Sequence, residues 1–355
     1  CDLGIGLWFD RPAEEFRSNA RRFAQQARRL GYRIIRTHGY LDRMCLNTGA
    51  DLKIDPEMLN RWDILIDELK KEGVYLHFTL LSFILYGDSE AAMKDRRYHK
   101  LMAYLDGEWE TARLDFAANA LFRHVNPYTG TTWKDDPALS HISLINEDAV
   151  FEVVNYDREI RSILEKKFEK EQPGLKGAER TLAFNRFLIR TYNESYQRMA
   201  RFLKEELGVK AMLTDQNHWQ SIHQAPMNRQ YDFVDKHMYW AHPRGVGPQG
   251  KGFSFDSSGA IAQMGGLAIN MNSAARVFGL PYAASEMNYC FPDVSAEEEE
   301  NRQFVVQEHH RVGCHFKKIG GVIFIKSLVV CKIAELPDRA PVLKSRISSE
   351  QGTSL

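Results

Sequence analysis

The chain alternates between stretches with helical hydrophobic spacing and short apolar runs, the pattern of repeated βα units. Over 16–30, apolar residues recur every three or four positions and Gly31 follows them. Before the apolar stripe over 58–69, Asp55 and Pro56 are suited to an N-cap and a first helical position. The pattern predicts amphipathic helices packed on a parallel sheet.

Seven apolar runs between the helical stretches are strand candidates. They cover 33–38, 74–81, 141–146, 210–215, 233–239, 282–288 and 321–325. Taken as the second to eighth strands, they leave the first at or just before residues 1–8, so the chain would begin inside or after it. The prediction is an α/β fold, a (β/α)8 TIM barrel that forms one catalytic domain over 1–328.

Two long loop insertions and a tail complete this layout. One insertion follows strand 3 and covers 86–139, and the other follows strand 4, with helices predicted over roughly 155–170 and 178–207. A capping-box spacing from Ser295 to Glu298 predicts a further helix start. The tail over 329–355 has no role that its residues indicate.

The amino-acid composition limits the classes of binding partner that the sequence predicts. Lysine plus arginine (47) balances aspartate plus glutamate (47), so net charge indicates neither nucleic acid nor a membrane surface as the partner. No run of about 18 or more apolar residues occurs, which is typical of a soluble protein. We expect a secreted or periplasmic location if a signal peptide has been removed, and a cytoplasmic one otherwise. The five cysteines are scattered without CxxC spacing, which argues against a zinc site.

Polar residues end two of the predicted strands. The apolar run over 142–145 ends in Asn146 and Glu147, and the run that begins at 282 reaches Glu286. Active sites of such barrels collect at these carboxyl ends, so the two glutamates are expected to face each other across the mouth. Retaining cleavage of a glycosidic bond needs one carboxylic acid and one carboxylate about 5 to 5.5 Å apart. The sequence therefore predicts that Glu147 and Glu286 form this pair, with Arg36 a candidate to keep the nucleophile of the pair ionised.

The chain resembles the clan of (β/α)8 retaining glycosidases that includes the cellulase family, glycoside hydrolase family five. The motifs that carry this resemblance are RTHGY with Arg36 and His38, SLINED with Asn146 and Glu147, DKHMYW with His237 and Tyr239, and ASEMNY with Glu286. The segment over 126–139, NPYTGTTWKDDPAL, is similar to what precedes the acid/base strand in a subset of cellulase-like members.

The resemblance implies a role for each of these residues. Glu147 would be the general acid/base and Glu286 the nucleophile. Asn146 would bind the sugar 2-hydroxyl, Arg36 would lie beside the nucleophile, and Tyr239 would donate a hydrogen bond to the nucleophile. His38 and His237 would bind substrate. No cofactor or metal is implied, and the expected partner is an oligo- or polysaccharide with a β-linkage.

Other residues near the strand ends allow two readings. Trp219 and Trp240 could form platforms for the apolar faces of a sugar, or pack in the core or a loop. Gln216, Asn217 and His218 could bind hydroxyl groups, or form an ordinary polar loop with Asn217 at a turn.

Two alternative functions remain open at this stage. The eighth-strand run over 322–326 does not end in the aromatic residue that often floors the sugar site in this clan, which motivates the alternative of a carbohydrate-binding barrel without catalysis. A metal-dependent barrel hydrolase, with the strand-end histidines as ligands, is the third hypothesis. Sugar identity and exo or endo action depend on loop contacts that spacing does not define.

Overall fold

In the computed structural model of the protein, the described residues are 12–29, 31–37, 53–81, 114–148, 151, 154–155, 158–218, 222–237, 244–246, 252–254 and 275–286. Strands are numbered in this described part, so β1 takes the place of the second predicted barrel strand. The α-helices are α1 (Ala13–Arg29), α2 (Pro56–Lys71), α3 (Arg158–Glu171) and α4 (Gly177–Arg201), and short π- or 3-10 helices cover Ala118–Phe122, Trp133–Asp135, Phe202–Glu206 and Ile222–Gln230. The strands are β1 (Ile34–Thr37), β2 (Tyr75–Leu81), β3 (Leu139–Ile145), β4 (Met212–Thr214), β5 (Val234–His237), β6 (Arg244–Val246), β7 (Gly252–Ser254) and β8 (Tyr282–Glu286).

The main strands run parallel. Strands β1 to β4 form one sheet in sequence order, and β5 pairs in parallel with β8. The predicted parallel α/β arrangement is confirmed for the described residues, and six of the predicted strands lie within a few residues of their expected bounds. The antiparallel pair β6 and β7 was not predicted, because runs of three residues are too short to show a period.

The four-stranded sheet is strongly curved. Ile34 of β1 and Met212 of β4 both pack against Phe233 and Ala283, which belong to the β5 and β8 region. In a flat sheet, β1 and β4 would stand about 14 Å apart, since neighbouring strands are about 4.8 Å apart. One small apolar cluster therefore contacts both outer strands of the sheet, β1 and β4, at the residues where these strands begin.

Helices α1 and α2 pack together through an apolar face and an ionic rim. Arg17 Nη1 lies 3.2 Å from Glu68 Oε1, and Arg21 Nε lies 3.2 Å from Glu68 Oε2. Asp55 caps α2, and its Oδ1 accepts the backbone N–H of Glu57 at 2.9 Å. The start of α2 was predicted from Asp55 and Pro56. The residues of α1 that face the core are Phe16, Ala20, Ala24 and Ala27.

Asp63 ties α2 to the segment that precedes β3. Its buried carboxylate accepts hydrogen bonds from Trp133 Nε1 at 2.9 Å and from His124 Nε2 at 2.7 Å, and its backbone oxygen accepts from Asn126 Nδ2 at 3.0 Å. Burial raises the pKa of Asp63, although the bonds from Trp133 and His124 oppose that rise. The described part of the motif over 126–139 thus has a structural role, because it anchors the approach to β3.

Several predicted features lie outside the described residues. These are the first strand at 1–8, the larger part of the first insertion, the helix start at Ser295, the strand over 321–325 and the tail over 329–355. Among the helices that are described, none has the length and apolar character needed to cross a membrane.

Candidate active site

Glu147 lies in a turn at the carboxyl end of β3. Its φ of 49° falls in the left-handed region, which costs a residue with a side chain about 1 to 3 kcal/mol. The turn is held from the neighbouring strand: Glu147 N–H donates to Asn217 Oδ1 at 2.7 Å, and Ile145 N–H donates to Asp215 Oδ1 at 3.0 Å. Strained backbone persists where surrounding contacts determine it. The conformation of Glu147 is therefore imposed by its contacts with the neighbouring strand and not by the intrinsic preference of its backbone.

Four of the residues that the sequence singled out form one connected cluster. Arg36 from β1 places Nη2 2.7 Å from Asn146 Oδ1 and Nη1 3.2 Å from His237 Nε2. His237, at the end of β5, places its other ring nitrogen, Nδ1, 2.8 Å from Glu147 Oε1. The curvature of the sheet makes this possible, because β1, β3 and β5 all bring their carboxyl ends to the same place.

The contact with Arg36 determines the hydrogen positions on the imidazole ring. A guanidinium group can only donate, so His237 Nε2 is the acceptor and Nδ1 carries the hydrogen that is donated to Glu147. The His237 side chain is 0% exposed, whereas the Glu147 side chain is 33% exposed. Glu147 is therefore held from its buried side by His237, while a third of its side chain is exposed to solvent.

The backbone of Glu286 lies at the same carboxyl end of the strands as this cluster. Parallel pairing of β5 and β8 places the Cα of Glu286 opposite that of His237. One residue earlier, Ser285 donates its backbone N–H to Asp235 Oδ1 at 2.9 Å and its hydroxyl to Asp235 Oδ2 at 2.6 Å. The end of β8 is thus anchored beside the strand that carries the Glu147 partner. The side chain of Glu286 is outside the described part of the chain.

A layer of buried charge lies next to this cluster. Burial lowers the pKa of Lys236 to about 8, although the charges of Asp148, Asp235 and Asp215 oppose that shift. Burial and the charge of Asp148 raise the pKa of Asp215 well above its usual range. Lys236 Nζ donates to the backbone oxygen of Gln216, and Gln216 Nε2 donates to Asp148 Oδ2 at 3.3 Å. The first bond ties β5 to the turn after β4, and the second ties that turn to the turn after β3.

The other predicted substrate-binding residues lie outside the described residues. These are His38, Tyr239, Trp219 and Trp240. Within the part of the chain that is described, no group of three or more His, Cys, Asp or Glu side chains has an arrangement that could hold a metal ion. The described histidine at a strand end, His237, is engaged by Arg36 and Glu147.

The sequence did not reveal how Asn217 is used. It left open a choice between hydroxyl binding and an ordinary turn, whereas the structure shows its side chain bound to the backbone of Glu147. An amide directly after a buried strand was the available signal, but its partner is 70 positions away along the chain.

The fold is similar to that of solved glycoside hydrolases, among them family 5 enzymes. A glycoside hydrolase family 5 mannosidase from Rhizomucor miehei matches 84% of this chain and 73% of its own with a TM-score of 0.53 and 13% identity. A mutant of that mannosidase in complex with mannosyl-fructose gives a TM-score of 0.53 at 12% identity, over 86% of this chain and 74% of its own. For the hyperthermostable endo-1,4-β-D-mannanase from Thermotoga petrophila RKU-1, the TM-score is 0.51 at 14% identity, over 85% and 82% of the two chains.

The sequence matches no protein-family profile, and no curated protein is significantly similar to it. At identities of 12 to 14%, the likeness to these hydrolases concerns the fold. The chemistry has to be argued from the residues of the site.

Proposed function

We propose that the protein is a retaining glycoside hydrolase that cleaves a β-linked saccharide, with Glu147 as general acid/base and Glu286 as nucleophile. One observation carries the proposal. Glu147 is held by His237, and the Cα of His237 is paired with that of Glu286, so both glutamates belong to one edge of the sheets. Double displacement at an anomeric carbon needs two carboxyl groups beside the same bond, and this shared position of the two residues supports that role.

The reaction has two steps. The Glu286 carboxylate attacks the anomeric carbon while Glu147 transfers its proton to the leaving oxygen, and the glycosidic bond breaks. Glu147, now a carboxylate, removes a proton from water as that water attacks the glycosyl-enzyme and releases Glu286. The one-third exposure of Glu147 supports this role, because the proton has to reach both the leaving group and water.

The proposal includes a closed (β/α)8 barrel over 1–328. Curvature of the sheet over β1 to β4 and its contact with the β5 and β8 region support closure. Around the mouth of this barrel, we assign substrate binding to Arg36, Asn146 and His237, and also to His38, Tyr239, Trp219 and Trp240.

For the sugar, β-mannosides are the first candidates, because the solved proteins with this fold include a mannosidase and a mannanase. β-Glucosides, β-galactosides and β-xylosides complete the panel, since loop contacts decide stereochemistry at each hydroxyl.

The test is hydrolysis of aryl β-glycosides by the wild type, Glu147→Gln and Glu286→Gln. Each substitution is expected to lower kcat by about a thousandfold or more. Glu179→Gln, on the exposed start of α4, is the matched control and should keep wild-type turnover. Near-wild-type turnover in either site variant contradicts the assignment.

Azide separates the two roles. With Glu147→Ala and an activated aryl glycoside, azide should give the β-glycosyl azide, because it attacks the glycosyl-enzyme. With Glu286→Ala, azide should give the α-glycosyl azide, since it takes the place of the nucleophile. The reverse pattern exchanges the assignments, and saccharide binding without any product supports a binding barrel instead.

A further inference from the structure

Asn217 contacts both members of the bond between His237 and Glu147. Its side-chain Oδ1 accepts the backbone N–H of Glu147 at 2.7 Å, and its backbone oxygen accepts the N–H of His237 at 2.7 Å. One fully buried residue therefore sets the relative position of a carboxyl group and an imidazole that come from different strands.

The position of Asn217 is itself fixed. The preceding residue, Gln216, has a φ of 57°, and its backbone oxygen accepts a hydrogen bond from the buried Lys236. Gln216 also donates from its side chain to Asp148, the residue after Glu147, at 3.3 Å. Two left-handed turns, after β3 and after β4, are thus braced against each other, and Asn217 contacts the backbone of Glu147 itself.

Only part of the Asn217 side chain has a described partner. Its Nδ2 is buried without a hydrogen-bond partner among the described residues, while its Oδ1 is bound to Glu147. The acceptor is therefore the atom on which the turn depends, because without it the Glu147 N–H loses its bond and the left-handed conformation loses its support.

We propose that Asn217 is a positioning residue for the acid/base. It keeps Glu147 and His237 in register, so that the Glu147 carboxyl group is oriented to protonate the leaving group. This rests on the proposed function. Asn217 acts through Glu147, so its loss should impair protonation of the leaving group more than attack by the nucleophile.

The experiment compares aryl β-glycosides of one sugar that the wild type hydrolyses and that differ in leaving group. A 2,4-dinitrophenolate departs without protonation, whereas a phenolate needs the acid. We expect Asn217→Ala to lower kcat/KM for the phenyl glycoside by about 10- to 100-fold and for the dinitrophenyl glycoside by about threefold or less.

Two further variants make the result specific. Asn217→Asp keeps the acceptor, so it should restore most of the phenyl glycoside activity; its added negative charge should move the basic limb of the pH profile to higher pH. Asn228→Ala is the matched control, because Asn228 is another fully buried amide and donates to the backbone oxygen of Ala275 at 2.9 Å. Its effect should be the same for both leaving groups.

Equal losses for both leaving groups in Asn217→Ala, or no loss for either, overturn the proposal for Asn217 and leave the glycosidase assignment intact. An active Asn217→Ala with no rescue in Asn217→Asp and no shift of the pH profile also overturns it. If the wild type hydrolyses none of the aryl glycosides, the proposed function fails, and the role of Asn217 fails with it.

Discussion

His237 donates its Nδ1 hydrogen to Glu147 Oε1 over 2.8 Å, and this bond joins the end of β5 to the end of β3. The imidazole is fully buried and accepts a hydrogen bond from Arg36 on its other nitrogen, so it has little freedom to rotate. The orientation of the Glu147 carboxyl group is thereby set by a neighbour 90 positions away.

Replacing His237 by alanine should lower kcat by roughly 10- to 100-fold, because Glu147 becomes a carboxylate as it gives up its proton and a hydrogen bond to a charged group contributes about 1.5 to 3 kcal/mol. His124→Ala is the control, because His124 also bonds a carboxylate, that of Asp63 at 2.7 Å, but on the side of α2. Steady-state kinetics on the folded variants gives the comparison. Equal losses in both variants would mean that the effect comes from stability alone.

Arg36→Lys should also reduce turnover, by about tenfold. The guanidinium reaches Asn146 and His237 at once through two nitrogens, which a single ammonium group cannot reproduce. Arg61→Lys, another buried arginine that pairs with Glu57 on α2, is the control and should leave kcat unchanged. Wild-type kinetics in Arg36→Lys would show that one contact is sufficient.

Asp63→Ala should lower the free energy of unfolding by about 3 kcal/mol, because Trp133 and His124 would lose their shared acceptor in a buried site. Asp135→Ala changes an exposed aspartate of the same segment and should shift stability by no more than about 0.5 kcal/mol. Urea unfolding followed by tryptophan fluorescence measures both variants. Similar midpoints for the two would contradict the structural role of Asp63.

Stability should fall as pH drops from about 6.5 to about 4, in part because of His141. Burial lowers the pKa of His141 to about 4, while the unfolded chain titrates near 6.5. Between these values the unfolded state binds a proton that the folded state excludes, so acid favours unfolding by an amount on the order of 3 kcal/mol. His141→Gln should flatten this limb of the stability curve relative to the wild type. Parallel curves for the two proteins would contradict it.

The sequence predicted the parts of this fold that local pattern determines. Asp55 and Pro56 marked the start of α2, and apolar runs marked most of the parallel strands, because capping and burial act over a few residues. The grouping of Arg36, Asn146, Glu147 and His237 could also be anticipated, since parallel strands bring their carboxyl ends to one edge.

The contacts that hold the site could not be predicted in the same way. The left-handed conformation of Glu147 has no signature in SLINED, because it depends on an acceptor that arrives from Asn217 after β4. The role of Asp63 was hidden for the same reason, since α2 reads as an ordinary amphipathic helix until residues 124–133 pack against it.

The residues that hold Glu147 are far apart along the chain, and this affects when the site can form during folding. Arg36 and His237 are 201 positions apart, so their contact can form only after β5 has been synthesised and has docked. A nascent polypeptide that ends before this strand contains β1 to β4 and the helices between them, yet it lacks the imidazole that orients Glu147. If the protein has the proposed function, recovery of turnover during refolding would therefore report completed assembly of the site. It would lag behind the recovery of the helical circular-dichroism signal.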